Sequence, residues 1–128
     1  MAAPDEREVV DFLGCWSRLD LEAALAAITD DAVFQADLTS PPAVGRAAIR
    51  EVWTRYFGMM RSYRFETRYL LSAGGVVMLE RMEWFGALDG VVLELPIVGV
   101  FEVKAGRIAA WRDYWDTSMM RPQPGAAA

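Results

Sequence analysis

The chain has no histidine, one cysteine (Cys15) and one lysine (Lys104) among its 128 residues. The first two shortages exclude an intramolecular disulfide, a zinc site of the usual kind and every histidine-based triad. The lone lysine stands beside the turn Ala105-Gly106, an unpromising place for a Schiff base. Positive charge is also scarce: 13 Lys and Arg face 18 Asp and Glu, a net charge of −5. No clustered basic field is available for phosphates, so a nucleic-acid partner is not expected. Long apolar runs are missing too. The stretch Val91 to Val103 is broken by Glu94, Pro96 and Glu102, well short of the roughly 20 residues of a spanning helix. The N-terminus, MAAPDEREVV, lacks a basic flank followed by an apolar run, so it does not read as a signal peptide, and a cytoplasmic protein is expected.

What the chain does have is apolar bulk. Hydrophobic residues make up 54% of it, including five Trp, six Phe, four Tyr and seven Met, enough for a rich core or for walls around an apolar ligand. The length fits one domain, residues 1–128, with Arg121 to Ala128 expected as a frayed tail. Pro4, Asp5 and Glu6 open a predicted helix running to about Leu19, with Val9, Phe12, Leu13 and Trp16 on its buried face. Cys15 fits that helix as a small buried hydrophobe. Asp20 caps a second helix, Leu21 to Ile28. Ala32 to Ala36 reads as a short strand, Leu38 to Gly45 as a loop, and Arg46 to Phe57 as a third helix carrying Ile49, Trp53, Tyr56 and Phe57 on one side.

After Gly58 the apolar period changes from 3.6 to 2. Strands are predicted at Tyr63 to Ser72, Val76 to Phe85, Val91 to Lys104 and Arg107 to about Trp115, joined by glycine-bearing hairpin turns. Helices first and antiparallel strands last is an α+β order. The expected architecture is a curved, mostly antiparallel sheet wrapped around the N-terminal helices, a cone with an internal apolar pocket.

Alternate strand residues share a face. Val77, Leu79, Arg81, Glu83 and Phe85 form one row, Leu93, Leu95, Ile97, Gly99 and Phe101 a second, and Ala109, Trp111, Asp113 and Trp115 a third. If these rows line one cavity, an arginine and two carboxylates sit among aromatics, tolerable only when paired. Burial raises a carboxyl's pKa and the arginine lowers it, so unequal surroundings can leave one acid protonated beside one ionised. Glu80, Arg112 and Asp116 occupy the opposite faces, so parity alone leaves open which face is inside.

Several segments resemble the limonene-1,2-epoxide hydrolase family: Leu95-Pro-Ile-Val-Gly-Val-Phe-Glu-Val, Ala105-Gly106-Arg107-Ile108, Trp111-Arg112-Asp113-Tyr114-Trp115-Asp116, Pro41-Pro42-Ala43-x-Gly45-Arg46, and Glu80-Arg81-Met82-Glu83 in place of a Glu-Arg-x-Asp strand. The resemblance runs from about Val9 to Asp116. It implies a cystatin-like or nuclear-transport-factor-2-like cone, a homodimer, and a one-step epoxide opening without cofactor on a hydrophobic small molecule. By resemblance Asp113 is the base that activates water, Arg81 the bridge, and Glu83 the acid. The expected pocket walls are Tyr56, Met60, Phe85, Leu95, Ile97, Trp111 and Trp115, with Phe34 and Gln35 from the first strand.

The first strand departs from the family, which has Tyr-x-Asn there to help hold the water. Counted from the preceding helix the matching positions are Phe34 and Ala36; counted back from Pro41-Pro42 they are Gln35 and Asp37. The difference implies one extra residue between Phe34 and Ser40, read as a bulge. With Asp37 inside, the site also resembles ketosteroid isomerases and polyether epoxide-opening cyclases, where an Asp on this strand is the base. Epoxide hydrolysis, isomerisation or cyclisation through Asp37, and non-catalytic carriage of hydrophobic ligands therefore stand as the alternatives.

Overall fold

The computed structural model describes residues 3–120; the tail expected at 121–128 lies outside the described residues. Helix α1 (Pro4–Ser17) starts with proline in its first turn and Asp5 and Glu6 at its positive end, and buries Val9, Phe12, Leu13, Cys15 and Trp16. It stops two residues before the expected Leu19, because Leu19 turns into the left-handed region at φ 54°. Asp20 then caps α2 (Leu21–Ala26), its side chain accepting from the Ala23 amide at 3.0 Å.

The second helix ends before Ile28 because that residue opens strand β1 (Ile28–Gln35). The pair Asp30-Asp31 lies in the strand, where both residues are exposed. The loop that follows contains a two-residue strand, β2 (Ala43–Val44). Gly45, at φ 89°, leads into α3 (Arg46–Met59), which buries Ile49 and Trp53. Four strands complete the order: β3 (Met60–Ala73), β4 (Val76–Ala87), β5 (Val92–Lys104) and β6 (Arg107–Tyr114), with a short 3-10 turn at Thr117–Met120. Trp115 lies just past the last strand.

The six strands form one sheet in the order β2-β1-β6-β5-β4-β3, antiparallel except for the parallel pair β1 and β6. The helices cover one face. Between helices and sheet lies an aromatic core in which Trp111 stacks on Phe101 at 5.4 Å and meets Phe12 edge-on at 5.2 Å. Phe34 and Trp53 complete the cluster, packing edge to face at 5.6 Å.

Candidate functional site

The register decides which charges go inside. Arg81 on β4 is opposite Ile97 on β5, Glu83 is opposite Leu95, and Gly99 on β5 is opposite Asp113 on β6. These residues belong to the face that carries Leu79 and Phe101, both fully buried. Arg81, Glu83 and Asp113 are accordingly 1%, 8% and 7% exposed. Glu80 and Arg112, on the other face, are only partly buried, and Asp116 is exposed.

Arg81 reaches across β5 to Asp113, donating from Nη1 to Oδ1 at 3.3 Å and from Nη2 to Oδ2 at 2.9 Å. Nη2 also donates to Glu83 Oε2 at 3.1 Å. The crossing is possible because Gly99 has no side chain: a Cβ there would lie 3.0 Å from both Arg81 Nη1 and Asp113 Oδ1. Two further donors fix the carboxylates. The Trp111 indole donates to Asp113 Oδ1 at 2.7 Å, and the Tyr63 hydroxyl donates to Glu83 Oε2 at 2.7 Å. A buried guanidinium is tolerable in such company, since each carboxylate supplies charge as well as hydrogen-bond acceptors.

The two acids are not equivalent. Asp113 takes hydrogen bonds on both oxygens from Arg81 and Trp111, side chains that only donate, and this suits an ionised acceptor. Glu83 receives its donors on Oε2, and no donor among the described residues reaches Oε1, which is where a proton can reside. Burial raises the Glu83 pKa above its ordinary range; Arg81 opposes this and the nearby Asp113 charge adds to it. Burial, with the Glu83 charge next, also raises the Tyr63 phenol well above its usual value, so Tyr63 remains a donor. For Arg81, burial alone would lower the pKa, but Asp113, Tyr63 and Glu83 outweigh it and the guanidinium stays charged.

These groups border a cavity of about 320 Å³. Trp16, Phe34, Tyr63, Glu83, Trp111 and Asp113 line its buried end, while Met59, Thr39 and Met120 are exposed at its mouth. Tyr56, Met60, Phe85, Leu95, Ile97 and Trp115, all expected as walls, also line it. Trp115 donates its indole N–H to the Ala36 carbonyl at 2.7 Å, pinning the end of β6 to the chain beyond β1.

On the first strand the count from the preceding helix locates Phe34 and Ala36 on the cavity, and Asp37 joins them. The expectation of Gln35 as a pocket residue is corrected: Gln35 points away and donates to the Ser40 carbonyl at 3.0 Å. The expected bulge between Phe34 and Ser40 is replaced by the end of the strand at Gln35 and a turn over residues 36–40, where the two-residue alternation no longer applies. Asp37 organises that turn. Its carboxylate accepts from the Thr39 amide at 2.8 Å, the Thr39 hydroxyl at 2.5 Å and the Ser40 hydroxyl at 2.8 Å. Burial pushes the Asp37 carboxyl up, yet these bonds outweigh it and hold the pKa below the usual value.

Tyr63, a member of the site through its bond to Glu83, stands outside the residues that the sequence pattern singles out. The available signal was a tyrosine two residues before Phe65 at the start of an alternating strand, which positions a hydroxyl on the inner face. Among the described residues no group of three or more His, Cys, Asp or Glu is arranged to hold a metal ion, and no helix is long and apolar enough to cross a membrane.

The sheet order, the helical cover and the buried acid–arginine–acid group at the end of an apolar cavity define an α+β cone of the nuclear-transport-factor-2 and ketosteroid-isomerase type. The chain belongs to the limonene-1,2-epoxide hydrolase catalytic domain family, whose model matches residues 4–123. Among solved structures it is similar to a Mycobacterium tuberculosis epoxide hydrolase of the same type, with 26% identity, TM-score 0.80, and 91% of this chain and 86% of that one covered. It shares its fold with SalBIII, an epoxide hydrolase/cyclase-like enzyme of pyran ring formation in salinomycin, at 20% identity, TM-score 0.78, and coverage of 89% and 92%. A protein of ketosteroid isomerase-like fold from Catenulispora acidiphila is similar at 17% identity, TM-score 0.79, and coverage of 94% and 93%.

Proposed function

We propose that the chain is an epoxide hydrolase acting on an apolar small molecule. The observation that carries this reading is the unequal pair of buried carboxylates bridged by Arg81, with Glu83 held toward its protonated form beside an Asp113 surrounded only by donors. Asp113 takes a proton from water, the water oxygen bonds to an epoxide carbon, and the carbon–oxygen bond of the ring breaks. Glu83 passes its proton to the departing oxygen, and a vicinal diol results. Arg81 keeps the two acids in fixed relation through both steps. Family membership supports the same chemistry. A carrier of apolar ligands would gain nothing from three buried charged groups whose desolvation must be offset.

The alternative of isomerisation or cyclisation through Asp37 is less well supported, because that carboxylate is engaged by Thr39 and Ser40 and its basicity is reduced. Asp113→Asn and Asp37→Ala separate the readings on a panel of apolar epoxides. Asp113→Asn is expected to lose diol formation by about 10²- to 10⁴-fold while remaining folded by circular dichroism, and Asp37→Ala to stay within about threefold of the parent, since a turn contact costs far less than an acid–base group. A dead Asp37→Ala with an active Asp113→Asn would reverse the assignment.

A further inference from the structure

A water deprotonated by Asp113 needs a second partner to aim it at the epoxide carbon, and neither Phe34 on β1 nor Ala36 just past it supplies one, since both line the cavity without a polar side-chain atom. The hydroxyl-bearing residues on the cavity wall are Thr39, Tyr56, Tyr63 and Thr117. Thr39 is bound to Asp37 and Tyr63 to Glu83, while Thr117 belongs to the 3-10 turn that ends in the exposed Met120. The hydroxyls of Tyr56 and Thr117 have no hydrogen-bond partner among the described residues, and of the two Tyr56 stands on a full helix, α3, against Phe34.

Its ring meets Phe34 edge-on at 6.3 Å, and Phe34 in turn packs on Trp111 at 4.9 Å. Trp111 is the residue whose indole holds Asp113. Tyr56 and Asp113 both line the cavity. Burial, with the negative charges of Asp37 and Asp113, raises the Tyr56 phenol above its usual range, so its proton stays in place as a donor.

We propose that the Tyr56 hydroxyl is the second hydrogen-bond partner of the nucleophilic water, so that α3 supplies the water-positioning group that β1 lacks. The inference rests on the hydrolase reading above. Tyr56→Phe removes one oxygen and leaves the ring contact with Phe34. With an apolar epoxide, kcat is expected to fall roughly 10- to 100-fold, the range for losing one hydrogen bond to a reacting group, while KM stays within about threefold and the melting temperature does not change. Tyr56→Ala, which also removes the wall, should add a rise in KM.

The inference is overturned if Tyr56→Phe turns over at the parent rate, or if kcat falls only together with a raised KM and a lowered melting temperature, as for a residue that merely packs. The parent and Asp113→Asn are run beside it. If the parent opens the epoxide, Asp113→Asn does not and Tyr56→Phe equals the parent, the positioning role alone fails. If the parent opens none of the panel, the hydrolase reading fails and takes this inference with it.

Discussion

Replacing Gly99 by alanine tests how the ion pair is built, because this position lies between its partners. An ideal Cβ at Gly99 falls 2.8 Å from Phe101 Cε1 and 3.0 Å from both Arg81 Nη1 and Asp113 Oδ1. Ordinary carbon–carbon contact begins near 3.5 Å, so Phe101 would have to yield by at least about 0.7 Å. Phe101 is fully buried and stacked on Trp111, which leaves little slack. Overpacking of this kind costs about 1–3 kcal/mol. The longer leg of the pair, Arg81 Nη1 to Asp113 Oδ1 at 3.3 Å, is the first that would part. Full rupture would leave a buried charge uncompensated and raise the cost to about 3–5 kcal/mol. In urea denaturation the midpoint of Gly99→Ala should fall by on the order of 1 M, given slopes of about 1–3 kcal/mol/M. Epoxide turnover should fall with it. A variant with the parent's midpoint and rate would refute the claim that the bare glycine lets Arg81 reach Asp113.

Further outcomes follow from the site and from the outer face of the sheet. Glu83→Gln removes the transferable proton, and the rate is expected to drop by about 10²- to 10⁴-fold. In the parent, the raised Glu83 pKa makes the folded state bind more protons than the unfolded state from the unfolded value upward to the folded one, so this contribution to stability is full at lower pH and is lost as pH rises across that window. A urea midpoint measured against pH should lose this component in Glu83→Gln; an unchanged profile would mean Glu83 is not shifted. On the outer face of the sheet, Tyr69, Leu71, Met78, Val98 and Tyr114 are exposed, with Leu71 directly opposite Met78 and Val98 opposite Tyr114. An apolar face of this kind suits a second copy of the chain. Light scattering should then show a dimer for the parent and a monomer for Met78→Lys, whereas a monomeric parent would rule out this use of the face.

Local pattern made the helices and the four long strands legible, since Val9, Phe12, Leu13 and Trp16 recur at helical spacing and the rows around Arg81 and Asp113 alternate. Parity grouped Arg81 with Glu83 but could not choose the inner face, because Glu80 and Arg112 gave the opposite face charges as well. That choice depends on which face the helices cover, a nonlocal fact. The parallel pairing of β1 with β6 is nonlocal too, and it extended the first strand back to Ile28 through the two aspartates. Alternation misled in two places: beyond Gln35 the chain turns, and both Ala36 and Asp37 reach the cavity, and at the register shift beside Glu102 and Val103 it is Ile108, not Ala109, that is buried. Gly99 passed as one more apolar position, since its importance lies in an empty space that only three assembled strands define.

The central claim is that Asp113 and Glu83 open an epoxide together, and its most direct measurement is diol formation from an apolar epoxide in ¹⁸O-water by the parent and by Asp113→Asn. The parent is expected to form diol carrying the label from its first turnover, with water as the nucleophile, and folded Asp113→Asn to form essentially none. Equal diol formation by the two proteins, or an unlabelled diol in the first turnover, would contradict it.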